Sequence, residues 1–235
     1  MSYRISRSSS SNPVIGIVRD ESVYLEAESI GEYLYLIEKD MTIELQKQLK
    51  HLYFIHAAVL AHGDQAIIIT APSGTGKSTT AWALLHHGCR YLSDELAPID
   101  LTNLTVQGYP RALGLKRVPP VYALPDHCLD TDNSLHVSVD RLPGGYCSSA
   151  VPVTAVFILE YAPQLSKAEI EPASKSTAAA HIYANALNAL AHENKGLEGA
   201  VSLAMRAPCF HLKSTPDLAE TCEALLSVLK GIGKN

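Results

Sequence analysis

The order of apolar and polar stretches along this chain predicts an α/β protein. Period-two apolar runs at 14–18, 22–26 and 33–37 predict strands, and the spacing of apolar residues at 41–52 predicts a helix. Two further apolar runs, 56–61 and 66–70, flank the turn sequence HGDQ, so we expect a β-hairpin there. If Gly63 and Asp64 form a two-residue loop, His56 faces Ala71 at the end of the second strand. A slip of one residue would turn the His56 side chain to the other face.

The rest of the chain continues the alternation of helices and strands. Helices are predicted at 77–87, at 176–194 and from 215 onward, and strands are predicted at 89–92, 96–100, 104–108, 113–116, 153–159 and 209–212. Between 118 and 151 Pro, Gly, Asp and Ser dominate without periodicity. A stretch of that length without clear elements predicts a mobile loop, either a lid or a substrate loop, or a disordered segment.

Composition and charge narrow the function classes. The chain has 235 residues, is 47% hydrophobic and carries a formal net charge of −5, which indicates a soluble globular protein and argues against binding to nucleic acid. No apolar run approaches the roughly 20 residues that span a membrane, and no apolar region follows the basic N-terminus. The five cysteines are scattered without a CxxC pair, which is typical of reduced thiols and not of a zinc site. We therefore expect a cytoplasmic protein.

The segment APSGTGKS, residues 71–78, follows a buried strand and runs directly into a helix. A phosphate-binding loop requires this strand–loop–helix context. Lys77 would reach the β- and γ-phosphates of ATP, and Ser78 would hold Mg²⁺. Ala71 stands where the usual pattern has Gly, which is tolerated unless that position needs a positive φ. The predicted nucleotide-binding residues are Ser73, Gly74, Thr75, Gly76, Lys77, Ser78 and Thr79.

Acidic, basic and histidine side chains are predicted to surround this loop. Asp94 and Glu95 end the strand that follows the helix. One carboxylate there can bind Mg²⁺ and its neighbour can accept a hydroxyl proton, but the pattern leaves open which does which. His56 would orient the acid or assist proton transfer. Arg111 and Lys116 would balance the charge of a transferring phosphoryl group.

The run IHAAVLAHGDQAIIITAPSGTGKSTTAWALLHHGCRYLSDELAPI resembles the catalytic domain of the bacterial HPr kinase/phosphorylases. It resembles still more closely the short HPr-kinase-related proteins, which include the kinases of lasso-peptide precursors. In that family a His opens the strand before the loop and two acids end the next strand, as His56, Asp94 and Glu95 do here. An Arg in a Gly- and Pro-containing strand resembles Arg111 of GYPRALGLK, and a Lys that follows it resembles Lys116.

The resemblance, which is good over residues 50–120 and weaker beyond, implies a fold shared with the phosphoenolpyruvate carboxykinase core. It also implies ATP and Mg²⁺ as cofactors and a serine hydroxyl as phosphate acceptor. It makes Asp94 the base and Glu95 the metal ligand, whereas general NTPase logic gives the opposite order. Glu95 replaces the second Asp of the bifunctional enzymes, and VPVTAVFILE lacks their Arg-rich signature. Phosphorylase activity and HPr itself as substrate therefore do not follow, and the oligomeric state, a homo-oligomer included, stays open.

Together these patterns predict a disordered tail at 1–13, a small N-terminal β/α segment at 14–52 packed on the core, and a P-loop kinase domain at 53–235. The predicted function is an ATP- and Mg²⁺-dependent kinase that phosphorylates a serine of a peptide or small protein. Two alternatives stay open: a small-molecule hydroxyl kinase, and a nucleotide-binding sensor that transfers no phosphate. A scaffold protein with an inert loop would show no thermal shift with ATP and Mg²⁺.

Overall fold

The computed structural model describes residues 2–9, 14–131 and 134–232. Its strands are β1 (Tyr3–Arg7), β2 (Ile15–Arg19), β3 (Val23–Ala27), β4 (Tyr53–Ile55), β5 (Ala57–His62), β6 (Gln65–Thr70), β7 (Arg90–Ser93), β8 (Ala97–Asp100), β9 (Thr105–Val106), β10 (Leu113–Leu115), β11 (Leu129–Thr131), β12 (Ser134–Val137), β13 (Val151–Tyr161), β14 (Glu169–Pro172) and β15 (Cys209–Ser214). Its α-helices are α1 (Ile30–Gln48), α2 (Lys77–His86), α3 (Lys175–Ala184), α4 (Leu197–Arg206) and α5 (Leu218–Ile232). None of these helices is long and apolar enough to cross a membrane. The predicted α/β class is confirmed.

Internal contacts divide the chain into two units, Met1–Leu49 with Asp130–Asn133 and Lys50–Leu129 with Ser134–Asn235. In the first unit β1, β2 and β3 form an antiparallel meander against which α1 packs. Asp40 of α1 accepts a hydrogen bond from the Tyr3 hydroxyl at 2.7 Å and pairs with the Arg19 guanidinium at 2.8 Å. Burial and the Asp40 carboxylate raise the pKa of Tyr3 to about 12, so its hydroxyl remains a donor at neutral pH.

The strand predicted at 33–37 is wrong, because α1 begins at Ile30 and runs through it. The Ser29 hydroxyl accepts a hydrogen bond from the Glu32 N–H at 3.0 Å, and the Glu32 carboxylate accepts one from the Glu28 N–H at 2.8 Å. Such reciprocal capping starts a helix, and the sequence SIGE carries its signature. This start signal outweighs the β-propensity of the Tyr and Ile residues that follow it.

The tail predicted as disordered at 1–13 contains strand β1, so that part of the prediction is wrong. Tyr3 pairs with Arg19 and Arg7 pairs with Ile15, so the backbone of this short segment is hydrogen-bonded despite its polar composition. Residues 1 and 10–13 of the predicted tail lie outside the described part of the chain.

The second unit is built on a mixed sheet that branches at β13. Its main path runs β4-β8-β9-β13-β6-β5-β7, and β15, followed by β14, joins β13 as well. Only His56 separates β4 from β5 in the sequence, yet the two strands stand far apart along this path. The sheet is therefore curled, which brings the distant ends of the path close to each other.

Four strands of this sheet end at the same edge. β13 is parallel to both β6 and β15, and β7 runs in the direction of β6 because both are antiparallel to β5. Along this edge the order is β15, β13, β6, the beginning of β5, and β7. The segment 71–78 leaves the edge directly after β6, so the residues at the neighbouring strand ends are candidates to surround it.

Hydrophobic layers cover both faces of the sheet. Ile67 and Ile69 of β6 belong to the layer with Trp82 of α2, whereas Ile68 belongs to the layer with Ile182 of α3. Because both faces are covered, β6 is a continuous apolar run and not an alternating one. Each fully buried large apolar side chain contributes about 1.5–3 kcal/mol to folding, so β6 is held firmly beneath the loop that follows it.

The hairpin and the helix after the loop are confirmed. His62 pairs with Gln65 and Ala57 with Thr70, which is the predicted register, and α2 begins at Lys77. The helix predicted over 176–194 ends at Ala184 instead.

The early end of α3 has a tertiary cause. The Asn188 side chain accepts a hydrogen bond from the Phe54 N–H and donates one to the Leu52 carbonyl, both at 2.9 Å. These contacts draw the chain against β4, a strand that the sequence patterns did not predict. Strands β12 and β14 and helix α4 were not predicted either.

The stretch 118–151, predicted as a mobile loop, contains secondary structure. Strand β12 of this stretch pairs with β10, which precedes the stretch in the sequence. Tyr122 contacts α2, where its carbonyl accepts a hydrogen bond from Trp82 Nε1 at 2.9 Å and its hydroxyl lies 2.7 Å from His87 Nε2. The mobility of this stretch stays a prediction.

Candidate active site

The loop at residues 71–78, called the glycine loop below, has the backbone of an anion-binding turn. Gly74 has φ +86° and Gly76, the residue before α2, has φ +105°, conformations that favour glycine. Positive-φ glycines directly before a helix are typical of loops whose backbone N–H groups and helix N-terminus bind an anion. Ala71 is fully buried and its φ is not positive, so the condition for tolerating Ala in place of Gly is met.

Lys77 lies folded back over the glycine loop. Its Nζ donates a hydrogen bond to the Ala71 carbonyl at 3.1 Å, and only 5% of the residue is exposed. Burial lowers the pKa of Lys77, while the nearby Glu95 and Asp94 oppose this shift. A buried ammonium with one carbonyl partner retains donors for an incoming anion such as a phosphate.

Ser78 and Asp94 are in direct contact. The Ser78 hydroxyl donates to Asp94 Oδ2 at 2.8 Å, and Asp94 is 1% exposed. Burial first and the charge of Glu95 second raise the pKa of Asp94 to about 6, against the opposing effects of Ser78, Arg111 and Lys77. Its other oxygen, Oδ1, is buried without a hydrogen-bond partner among the described residues. An unpartnered buried carboxylate oxygen beside a hydroxyl suits a hard cation such as Mg²⁺.

His56 lies beside Glu95 and not beside Asp94. Its Nε2 is 3.4 Å from Glu95 Oε2, a separation without hydrogen-bond geometry. The register of β5 and β6 holds the backbone of His56, whose carbonyl accepts a hydrogen bond from the Thr70 hydroxyl at 3.4 Å. Burial lowers the pKa of His56, and the Lys77 and Lys116 charges act in the same direction against that of Glu95. The imidazole is therefore neutral at pH 7 in the ligand-free protein.

The backbone at Glu95 has an uncommon conformation. Its φ is +69°, the left-handed region that non-glycine residues rarely occupy. As a result Asp94 is buried toward Ser78 while the next side chain, Glu95, is 47% exposed near His56. Strained residues of this kind cluster at functional sites, where the surrounding structure holds them in place.

The two predicted cations approach the same group of residues. Lys116 Nζ donates to the Ser73 hydroxyl at 3.0 Å, which brings it to the glycine loop. Arg111 is half-buried and close enough to Asp94 to lower the pKa of that carboxyl. Both residues follow β9 in the sequence. The chain leaves the sheet after β9 and then passes beside the glycine loop.

No group of three or more His, Cys, Asp or Glu that could hold a metal by itself occurs among residues 2–9, 14–131 and 134–232. Mg²⁺ commonly needs only one or two carboxylates, because water and substrate phosphates complete its coordination. The Ser78–Asp94 pair therefore suits Mg²⁺ that arrives together with a nucleotide.

The tertiary structure brings the predicted site residues around one loop. Thr75 lies within that loop, where its hydroxyl donates to the Pro72 carbonyl at 2.9 Å, and Thr79 lies in the first turn of α2. Two residues that the sequence analysis did not single out, His181 and His211, line a cavity on the other side of the loop. No local pattern marks them, because only the pairing of β15 with β13 brings His211 there.

Comparisons with solved structures find 47 similar chains, one of which is a bacterial kinase/phosphatase. The HPr(Ser) kinase/phosphatase from Coxiella burnetii is 15% identical in sequence, and the overlap covers 76% of this chain and 98% of that chain with a TM-score of 0.38. No family model and no curated protein matches the sequence. A similarity of this size shows neither the activity nor the substrate of this chain.

Proposed function

We propose that this protein is a kinase that transfers the γ-phosphoryl group of ATP to a serine hydroxyl of a peptide or small protein. The observation that carries the proposal is the contact of Ser78 with a buried Asp94 directly beside the glycine loop. A hydroxyl and a carboxylate in this arrangement are the protein ligands that phosphate-binding loops use for Mg²⁺. The resemblance of the sequence around this loop to HPr-kinase-related proteins supports the same activity.

In this proposal the glycine loop and Lys77 bind the phosphates of ATP. Backbone N–H groups of the loop and the N-terminus of α2 favour negative charge, and the buried Lys77 ammonium adds a positive charge. Ser78 and Asp94 would hold Mg²⁺, whose contribution when bound is to neutralise charge on the β- and γ-phosphates. Asp94 is then a metal ligand, which is the assignment of general NTPase logic.

Glu95 and His56 would act on the acceptor. The hydroxyl oxygen attacks the γ-phosphorus, so that a new P–O bond forms as the bond from that phosphorus to the β,γ-bridging oxygen breaks. ADP leaves with the bonding electron pair, and the hydroxyl proton passes to the Glu95 carboxylate, with the neutral His56 ring 3.4 Å away to orient it. Lys116, which contacts Ser73 of the loop, would stabilise charge on the transferring group.

The exposure of this region favours a macromolecular acceptor. Glu95 is 47% exposed, and Lys116, Ser73 and Gly74 are exposed as well. Sites for small molecules usually enclose most of their ligand, whereas these groups are open to solvent. A serine that protrudes from a peptide or from a protein loop can reach such a surface. This exposure is the reason to prefer a peptide substrate over a free metabolite.

The test is transfer of label from [γ-³²P]ATP with Mg²⁺ to arrayed peptides and to a panel of free hydroxyl metabolites. Each serine peptide has an alanine-substituted twin as its control. We expect label on serine peptides only, and loss of at least about 100-fold in rate for Lys77→Ala and for Glu95→Gln. The conservative variant Tyr35→Phe, at an exposed position of α1, serves as the control and should keep wild-type activity.

Three results would separate the alternatives. Label on metabolites but not on any peptide would contradict a peptide substrate and identify a small-molecule kinase. Tight ATP binding without transfer to any acceptor would indicate a nucleotide sensor. Absence of ATP binding would refute the proposed function.

A further inference from the structure

A cavity of about 310 Å³ lies beside the glycine loop, at the ends of β13 and β15. Pro72 and Thr75 of the loop form one wall. Its volume is at the lower end of the range of about 300–1,000 Å³ that small-molecule sites occupy. The activity proposed above does not by itself assign this cavity to either substrate.

The lining of the cavity combines apolar surface with a few polar groups. Ile158, Leu159 and Leu212 provide the apolar part, and the rings of His181 and His211 lie edge to face with 6.3 Å between their centroids. A heteroaromatic base could stack on such rings or exchange hydrogen bonds with them.

The charged lining residues fit a neutral ligand that carries hydroxyl groups. Lys213 donates to Glu169 at 2.8 Å, so its charge is largely balanced outside the cavity. Glu160 is exposed at the rim, and a carboxylate is a common acceptor for ribose hydroxyls.

The order of strands along the sheet edge decides which substrate belongs there. The strand order β15, β13, β6, β5, β7 places the cavity on one side of the glycine loop and the His56–Glu95 pair on the other. In phosphoryl transfer the attacking and leaving oxygens lie on opposite sides of the transferred phosphorus. If the acceptor approaches from His56 and Glu95, the ADP portion must therefore extend away from them, toward β13 and β15.

We propose that this cavity binds the nucleoside of the nucleoside triphosphate, with the base against His181 and His211 and the ribose toward Glu160. The proposal rests on the proposed kinase function, which supplies the direction of transfer. It leaves the open surface around Glu95 to the acceptor, so nucleotide and acceptor approach the glycine loop from opposite sides.

The test compares binding of ATP with binding of inorganic tripolyphosphate, which lacks the nucleoside, by calorimetry on the full chain with Mg²⁺. We expect the wild type to bind ATP at least about tenfold more tightly, which corresponds to about 1.4 kcal/mol. His211→Trp, which fills the cavity from a half-buried position, should remove this difference and leave tripolyphosphate binding unchanged. Tyr183→Trp, on α3 but outside the cavity lining, should behave as the wild type.

Equal affinity of the wild type for ATP and tripolyphosphate would overturn the nucleoside assignment and leave the kinase proposal standing. The assignment also fails if His211→Trp keeps the preference for ATP, or if it raises the KM of a peptide acceptor with ATP affinity unchanged. If His211→Trp does not fold, as judged by circular dichroism, His181→Ala takes its place. Failure of Lys77→Ala to weaken both ligands would instead refute the proposed function, and the nucleoside assignment with it.

Discussion

Asp94→Asn is expected to stabilise the ligand-free protein at neutral pH while it weakens the Mg²⁺-dependent activity. Asp94 is 1% exposed, and one of its oxygens has no hydrogen-bond partner among the described residues. An ionised carboxylate in such a position destabilises the folded protein, and a bound metal ion would offset this destabilisation. Asn keeps the shape and the acceptor for Ser78 but carries no charge.

The size of this cost follows from the pKa. Burial and the charge of Glu95 raise the pKa of Asp94 from 3.8 to about 6, and at 1.36 kcal/mol per unit this corresponds to about 3 kcal/mol. The folded protein binds the carboxyl proton of Asp94 more tightly than the unfolded chain does. The free-energy cost of ionising Asp94 in the folded protein therefore grows as pH rises from about 4 and is complete above about 6. The amide N–H₂ of the substituted Asn has no acceptor at this position, which reduces the gain in stability by about 1 kcal/mol. We therefore expect a net gain of about 2 kcal/mol near pH 7.5 and about none near pH 4.5.

Urea unfolding at both pH values measures this difference. Trp82 is the only tryptophan of the chain and is 1% exposed, so its fluorescence reports on unfolding of the second unit. Glu193→Gln is the matched control, because it makes the same kind of chemical change at an exposed carboxylate of the second unit and should alter stability by less than about 0.5 kcal/mol at either pH. If Asp94→Asn changes the free energy of unfolding by the same amount at both pH values, the buried charge is not the cause and the reasoning is refuted.

Three further predictions follow from the same residues. Ala71→Gly should destabilise the protein by about 0.5–1 kcal/mol in urea unfolding and leave the Kd for ATP within about twofold, because this position has no positive φ. Gly76→Ala at φ +105° should cost about 1–3 kcal/mol and weaken ATP binding; wild-type affinity in calorimetry would contradict a role for this turn. Apparent Mg²⁺ affinity in the transfer assay should fall as pH drops through about 6, approaching tenfold per pH unit, because protons then compete for Asp94; a pH-independent affinity would argue against Asp94 as ligand.

The sequence by itself determined the local features of the site. The glycines at 74 and 76, the turn between β5 and β6 and the helix after the loop all depend on interactions between residues close in the chain. The positions of Lys77 and Ser78 relative to the loop follow from the same local geometry. For the same reason the capping signal of α1 was present in the sequence at Ser29, although the β-propensity of the following residues obscured it.

Only the tertiary structure decided how the acids are used and what lies on each side of the loop. The positive φ of Glu95 turns it toward His56 and leaves Asp94 buried against Ser78, a division that the adjacent letters D and E do not reveal. The pairing of β15 with β13 brings His211 to a cavity beside the loop, far from it in sequence. Both outcomes depend on burial and strand order, which arise from contacts between distant segments, and no local pattern of residues encodes such contacts.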